Sequence, residues 1–166
     1  MIVYIVRHGI AASKGDPGIP SDSARPLTAE GIQKTREAAE GLKRFKVFPD
    51  VILTSPWLRA RQTAEIVADV LNSSGRPQEM EELSSDRSVD EALQGLARYR
   101  SHDSVMLVGH QPLLGELTSY LLSLSRGMQM DLRKSGVCVI EVERIPPKSP
   151  GMLLWMMTPK QLRLLR

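Results

Sequence analysis

Short apolar, β-branched runs alternate along the chain with longer stretches in which apolar side chains return every three or four positions. Ile2-Val3-Tyr4-Ile5-Val6, Val51-Ile52-Leu53-Thr54 and Ser104-Val105-Met106-Leu107-Val108 predict strands. Ile32, Thr35, Ala39, Leu42 and Phe45 recur at near-helical spacing, and Ile66, Val67, Val70 and Leu71 give a second helix its core face. Ala92, Leu93, Leu96 and Tyr99 mark a third helix, and Leu113, Leu114, Leu117, Leu121 and Leu124 a fourth. Alternation of strand and helix is the pattern of a layered α/β domain. Near the C-terminus, Val137 to Glu143 and Met152 to Thr158 read as two strands; their short connection, Ile145 to Gly151, predicts an antiparallel hairpin at one side of the sheet.

Local signals place the helix starts. Thr28 suits an N-cap and Glu30 the positive end of the helix that follows, while Ser88 and Glu91 have the spacing of a capping box. Pro56 and Pro112 suit first helical turns, where a missing N–H costs nothing. Gly31 is out of place so early in a helix, where it costs ~0.5–1 kcal/mol against alanine. It predicts that another segment packs closely there, near the site.

A length of 166 residues and a 42% hydrophobic content fit one domain, residues 1–166, with an ordinary core. The single cysteine, Cys138, has no internal partner and lies in an apolar run, so a buried, inert thiol is expected. Neither the N-terminal run nor Met152–Met157 approaches the ~20 residues needed to cross a bilayer, and Arg7 and His8 interrupt the former too early for a signal-peptide core. A cytoplasmic location with no membrane association is expected. The formal net charge of +3 suits anionic substrates; aromatic residues are 4% of the chain and no basic stripe carries stacking groups, which argues against nucleic acid. The terminal segment from Lys160 to Arg166 reads as a basic, partly ordered tail.

Chemistry concentrates where strands end. Arg7, His8 and Gly9 follow the first strand, Arg59 lies early in the helix after the second, and Gly109 and His110 follow the third. In open α/β sheets, ligands bind beyond the carboxyl ends of the strands. A neutral imidazole is a competent nucleophile near physiological pH, and guanidinium forks match phosphate oxygens. Gly9 allows a tight turn and close approach to a ligand. Thr63, one turn after Arg59, shares its face, whereas Arg61 points elsewhere as a surface charge. Together these residues point to phosphoryl transfer.

Val6-Arg7-His8-Gly9, Arg25-Pro26-Leu27-Thr28-Ala29-Glu30-Gly31, Ser55 to Ala64 and Gly109-His110-Gln111-Pro112 resemble the histidine phosphatase superfamily, and most closely its small bacterial phosphohistidine phosphatases of the SixA type. The resemblance implies a phosphoglycerate mutase-like fold, a three-layer α/β/α sandwich with a mostly parallel central sheet and the antiparallel C-terminal strand pair. It implies that His8 attacks phosphorus, while Arg7, Arg59 and a protonated His110 hold the equatorial oxygens. Gly9, Arg25, Thr28 and Gly109 are then expected to line the substrate site. A proton donor has no equally clear motif; Glu82 falls closest to the small-phosphatase pattern, and a solvated loop carboxylate is its plain alternative. No metal or organic cofactor is called for, since arginines beside His8 would repel a cation.

The expected function is dephosphorylation of phosphohistidine on a partner protein, such as a histidine phosphotransfer domain, by a monomer. A phosphomonoesterase acting on small metabolites is the alternative within catalysis, and a noncatalytic phosphoprotein-binding module is the alternative outside it. The loop from Ile10 to Pro26, with Asp22 and Arg25, borders the expected nucleophile and is placed to select the substrate. Surface turn chemistry explains Asp22 equally well.

Overall fold

The computed structural model describes residues Met1–Arg166. Its strands are β1 (Ile2–Arg7), β2 (Val51–Thr54), β3 (Gln78–Glu79), β4 (Ser104–Gly109), β5 (Val137–Glu141) and β6 (Met152–Met157), and its helices are α1 (Ala29–Arg44), α2 (Leu58–Leu71), α3 (Val89–Leu96), α4 (Leu113–Ser123) and α5 (Pro159–Arg163). They form one six-stranded sheet in the order β3-β2-β4-β1-β5-β6. β1, β4, β2 and β3 run parallel, whereas β5 is antiparallel to β1, and β6 to β5.

Burial on both faces explains why the central strands read as unbroken apolar runs. Successive side chains of β1 and β4 point to opposite sides: Val3, Ile5, Val105 and Leu107 join a core built with α3 and α4, while Val6, Met106 and Val108 join one built with α1, α2 and α5. The outcome is the expected α/β/α sandwich with its antiparallel C-terminal pair.

Three local expectations shift. Ile32 and Phe45 do not face the core: they are 41% and 42% exposed, and α1 instead buries Gly31, Thr35, Ala38, Ala39, Gly41 and Leu42. Small residues win because α1 is approached closely by other segments; a Cβ on Gly41 would lie 2.2 Å from the Leu162 carbonyl oxygen. Pro56 precedes the first turn of α2, which starts at Leu58. The C-terminal segment is no loose tail, because Thr158 and Gln161 form a reciprocal cap for α5 and Leu162 is fully buried against α1.

The caps anticipated at Thr28 and at Ser88 with Glu91 are present. For the site, the decisive feature is register. β2, β4 and β1 are neighbours, with Arg7 opposite Gly109 and Thr54 opposite Val108. All three strands therefore end at one level, and Arg7-His8, Ser55 and His110 emerge side by side.

Candidate active site

His8 and His110 lie with ring centroids 5.0 Å apart, and both are buried. His8 Nδ1 is 2.7 Å from the Gly9 carbonyl oxygen. A carbonyl only accepts, so Nδ1 carries the proton and Nε2 is left with a lone pair. Arg59 Nε donates to that lone pair at 3.2 Å. Thr63 holds this corner together: its Oγ1 accepts from the Gly9 N–H at 3.0 Å and donates to the Arg59 carbonyl at 2.7 Å. Two adjacent backbone turns thus set the His8 tautomer and leave Nε2 as the ring's lone-pair atom.

On the far ring, His110 Nε2 is 2.9 Å from Ser55 Oγ, which also accepts from the Trp57 N–H at 3.2 Å. His110 Nδ1 is buried without an internal partner. The Trp57 ring covers both components, 4.9 Å from the His110 ring and 4.7 Å from Arg59 Cζ. Sequence reasoning overlooked Ser55 and Trp57. Their one signal was position, since Ser55 is the first residue beyond the carboxyl end of β2.

The two guanidinium groups are braced from loops. Arg7 Nη1 donates to the Leu132 carbonyl at 2.6 Å and meets Asp131 at 3.4 Å, while its Nε is buried and unpartnered. Arg59 Nη1 donates to the Asp22 carbonyl at 2.6 Å and Nη2 to the Asp22 carboxylate at 3.2 Å. Asp22 is therefore more than a turn residue: it ties the 10–26 loop to the catalytic face.

Electrostatics keeps the imidazoles uncharged. Burial pushes His8 down to about 3, aided by the positive charges of Arg59, Arg7 and Lys134 and opposed by its bond to the Gly9 carbonyl. Burial likewise pushes His110 down to about 3, with His8, Arg59 and Arg7 adding to the effect and Asp22 opposing it. The chain's own groups keep His110 neutral, and the cationic form that the resemblance implies with phosphate bound calls for the field of that anion.

Four further candidates are held by contacts within the chain. Glu82 is gripped by both ends of the Arg98 fork at 2.7 and 3.1 Å, which holds its carboxyl below the ordinary range; a proton donor needs the opposite shift. Arg25 Nε donates to the Ala12 carbonyl at 2.6 Å and Nη1 to Asp22 at 2.7 Å, so it braces the loop that holds Arg59. Thr28 Oγ1 accepts from the Gly31 N–H at 3.0 Å and serves as a helix cap. Gly109 works through its backbone, its carbonyl accepting from the His8 N–H at 3.0 Å. Gly9 keeps its place beside the nucleophile but is required by packing, since a Cβ there would lie 2.4 Å from Thr35 Oγ1.

The molecule's largest cavity, about 620 Å³, lies along α2 and the 73–77 loop, and contains none of Arg7, His8, Arg59 or His110. Its lining includes Arg61, which pairs with Glu79 at 3.1 Å and so points away from the histidines as expected. No group of three or more His, Cys, Asp or Glu side chains gathers as a metal site, and no helix is long and apolar enough to cross a membrane.

Two neighbouring buried imidazoles, one of them bonded by Arg59, stand at the common end of the parallel strands β1, β4 and β2, and the chain belongs to the histidine phosphatase superfamily. Residues 3–84 match the profile of that superfamily's branch 1. The chain is 40% identical over 124 residues to the phosphohistidine phosphatase SixA of Escherichia coli K12, covering 73% of this chain and 74% of that protein. It is 36% identical over 166 residues to an uncharacterized protein of Picosynechococcus sp. PCC 7002, covering 98% and 99%. A solved structure of the protein histidine phosphatase SixA complexed with tungstate superimposes with a TM-score of 0.85 at 32% identity, covering 98% of this chain and 99% of that one.

Proposed function

We propose that this protein hydrolyses phosphohistidine on a partner protein through a phosphorylated His8. The observation that supports the reading is that Arg59 Nε is aimed at the His8 Nε2 lone pair, while Glu82, the carboxylate closest to the small-phosphatase pattern, is tied up in an ion pair with Arg98. A site without a strong acid suits a leaving group that needs none. In phosphohistidine the P–N bond breaks once the second ring nitrogen of the substrate is protonated, and the imidazole departs neutral.

His8 Nε2 attacks phosphorus in line, the substrate P–N bond breaks, and the new P–N bond forms on His8. Arg7 and Arg59 carry the charge on the equatorial oxygens, and His110, protonated as the dianion arrives, adds a third donor held by Ser55. Water then attacks phosphorus, phosphate leaves with the oxygen of water, and His8 returns to its neutral tautomer. Gly9 keeps the proton on Nδ1 throughout. Relatives named as phosphohistidine phosphatases, one of them solved with a tetrahedral oxyanion, support the reading.

The test is a panel: a histidine-phosphorylated phosphotransfer protein against several phosphate monoesters, with wild type and His8→Ala. Expected are preference for the phosphoprotein, an acid-labile phosphoenzyme in wild type, and neither turnover nor phosphoenzyme in the variant. Preference for esters would replace the substrate class with small metabolites. Retention of phosphoprotein without any turnover would leave a binding module.

A further inference from the structure

Arg7 also lines a second cleft, of about 520 Å³, whose lining carries six cations: Arg7, Lys34, Arg133, Lys134, Lys160 and Arg163. They come from β1, α1, α5 and the loop before β5, segments far apart in sequence. Three acids reach them. Asp131 meets Arg7 at 3.4 Å and Arg133 at 3.9 Å, Glu30 pairs with Lys34, and Glu37 meets Arg163 at 3.7 Å while holding Arg166 more tightly at 2.6 Å. Lys134 and Lys160 form no ion pair, and both are exposed. The local surplus of positive charge equals the formal excess of the whole chain, +3.

We propose that this cleft docks an acidic segment of the phosphoprotein substrate, its carboxylates pairing with Lys134, Lys160 and Arg133 while the phosphohistidine reaches His8. The inference rests on the phosphoprotein reading above and specifies which protein surfaces the enzyme accepts. Arg7 belongs to both places, so a docked chain enters the reaction site directly. Lys134 is near enough to His8 for its charge to act on the imidazole.

The build of the cleft favours carboxylates on a protein over a second phosphate on a small molecule. Arg133, Lys134 and Lys160 are exposed on long, flexible side chains, which suit carboxylates spread over a protein surface better than one compact anion. Dispersed cations of this kind steer and orient a protein surface by long-range attraction that salt weakens. The cleft has no aromatic lining on which nucleic-acid bases would stack.

The test compares full-length wild type with Lys160→Glu and with Lys160→Glu/Arg133→Glu on synthetic phosphohistidine peptides whose flanking residues are acidic, neutral or basic, and on phosphoimidazole. For wild type, the acidic peptide is expected to have a kcat/KM roughly tenfold above the neutral one at low salt, mainly through KM, and to lose that advantage at high salt. Charge reversal is expected to abolish or invert the peptide preference while phosphoimidazole hydrolysis stays within about twofold of wild type. Equal use of acidic and neutral peptides, or a preference that survives reversal, overturns the dock and leaves the phosphohistidine reading intact. Hydrolysis of phosphoimidazole without turnover of any peptide overturns both. With a bis-phosphorylated small ester and its mono-phosphorylated counterpart assayed alongside, a preference for the former that reversal removes overturns the dock and assigns the cleft to a second phosphate instead.

Discussion

Arg59 Nε points at His8 Nε2 across 3.2 Å, so one guanidinium is aimed at the lone pair proposed to attack phosphorus. Its other two nitrogens are taken by Asp22. Lysine has the charge but not the fork, and cannot satisfy both directions at once. Arg59→Lys is expected to lower kcat by about 10²–10³-fold, the scale for losing a donor to a developing oxyanion, with the fold retained. Steady-state turnover and phosphoenzyme yield check it; a loss confined to KM would show that Arg59 only binds.

The depressed imidazoles make stability depend on pH. Both folded values lie near 3, against about 6.5 in the unfolded chain. Between those limits the unfolded state binds more protons, so stability is full above about pH 6.5 and is lost as pH falls toward about 3. His110→Gln keeps a partner for Ser55 and removes one of the two titrations. Urea unfolding at about pH 7 and about pH 5 is expected to show a smaller acid loss in the variant than in wild type. Equal losses would show that His110 is not held neutral by the fold.

Ser55 links the second histidine to the start of α2 through its contacts with His110 Nε2 and the Trp57 N–H. Ser55→Ala leaves both without that partner in a buried place, at ~1–3 kcal/mol. The expected signature is a fall in kcat larger than the change in KM, because His110 is needed most when charge peaks on phosphorus. Unchanged turnover with weakened stability alone would reduce Ser55 to a structural role.

Much of this site was legible because strand ends are. β2 was read with its observed bounds, β1 and β4 to within one residue, and parallel neighbours in one register must bring Arg7, His8 and His110 to a common rim. The parts that were not legible depend on tertiary approach. Nothing in the spacing of Ile32 and Phe45 shows that α1 turns its small residues inward, since that follows from Leu162 and Ile10 pressing on the helix. The Glu82 ion pair was hidden for a similar reason: only the folded chain brings Arg98 to it. β3, two residues long, has too little pattern to be found at all.

Asp22 occupies the two terminal nitrogens of Arg59 with its carbonyl and with a carboxylate that Arg25 and Arg59 hold below its ordinary range. An arriving dianion has to compete with it for the same donors. Asp22→Asn keeps the size and weakens the ion pairs. The inhibition constant of inorganic phosphate is expected to fall severalfold, with the larger gain at low salt. A rise instead would show that Asp22 serves mainly to orient Arg59.

Gly31 separates helix propensity from packing in one substitution. In an isolated helix, alanine at this position would gain ~0.5–1 kcal/mol. Here its Cβ would sit 2.0 Å from the Ile10 carbonyl oxygen and 2.9 Å from its carbon, both backbone atoms that have no rotamer to escape into. That same carbonyl accepts from the Thr28 N–H at 2.9 Å, and Ile10 follows Gly9, whose own carbonyl fixes the His8 tautomer. Relief of the clash therefore moves either the start of α1 or the turn beside the nucleophile. Gly31→Ala is expected to destabilise by about 1–3 kcal/mol, the range for overpacking, and to lower kcat as well, since the displaced turn carries His8. Chemical denaturation with a parallel turnover assay checks it, and a stabilised, fully active variant would mean that α1 stands further from Ile10 than the structure places it.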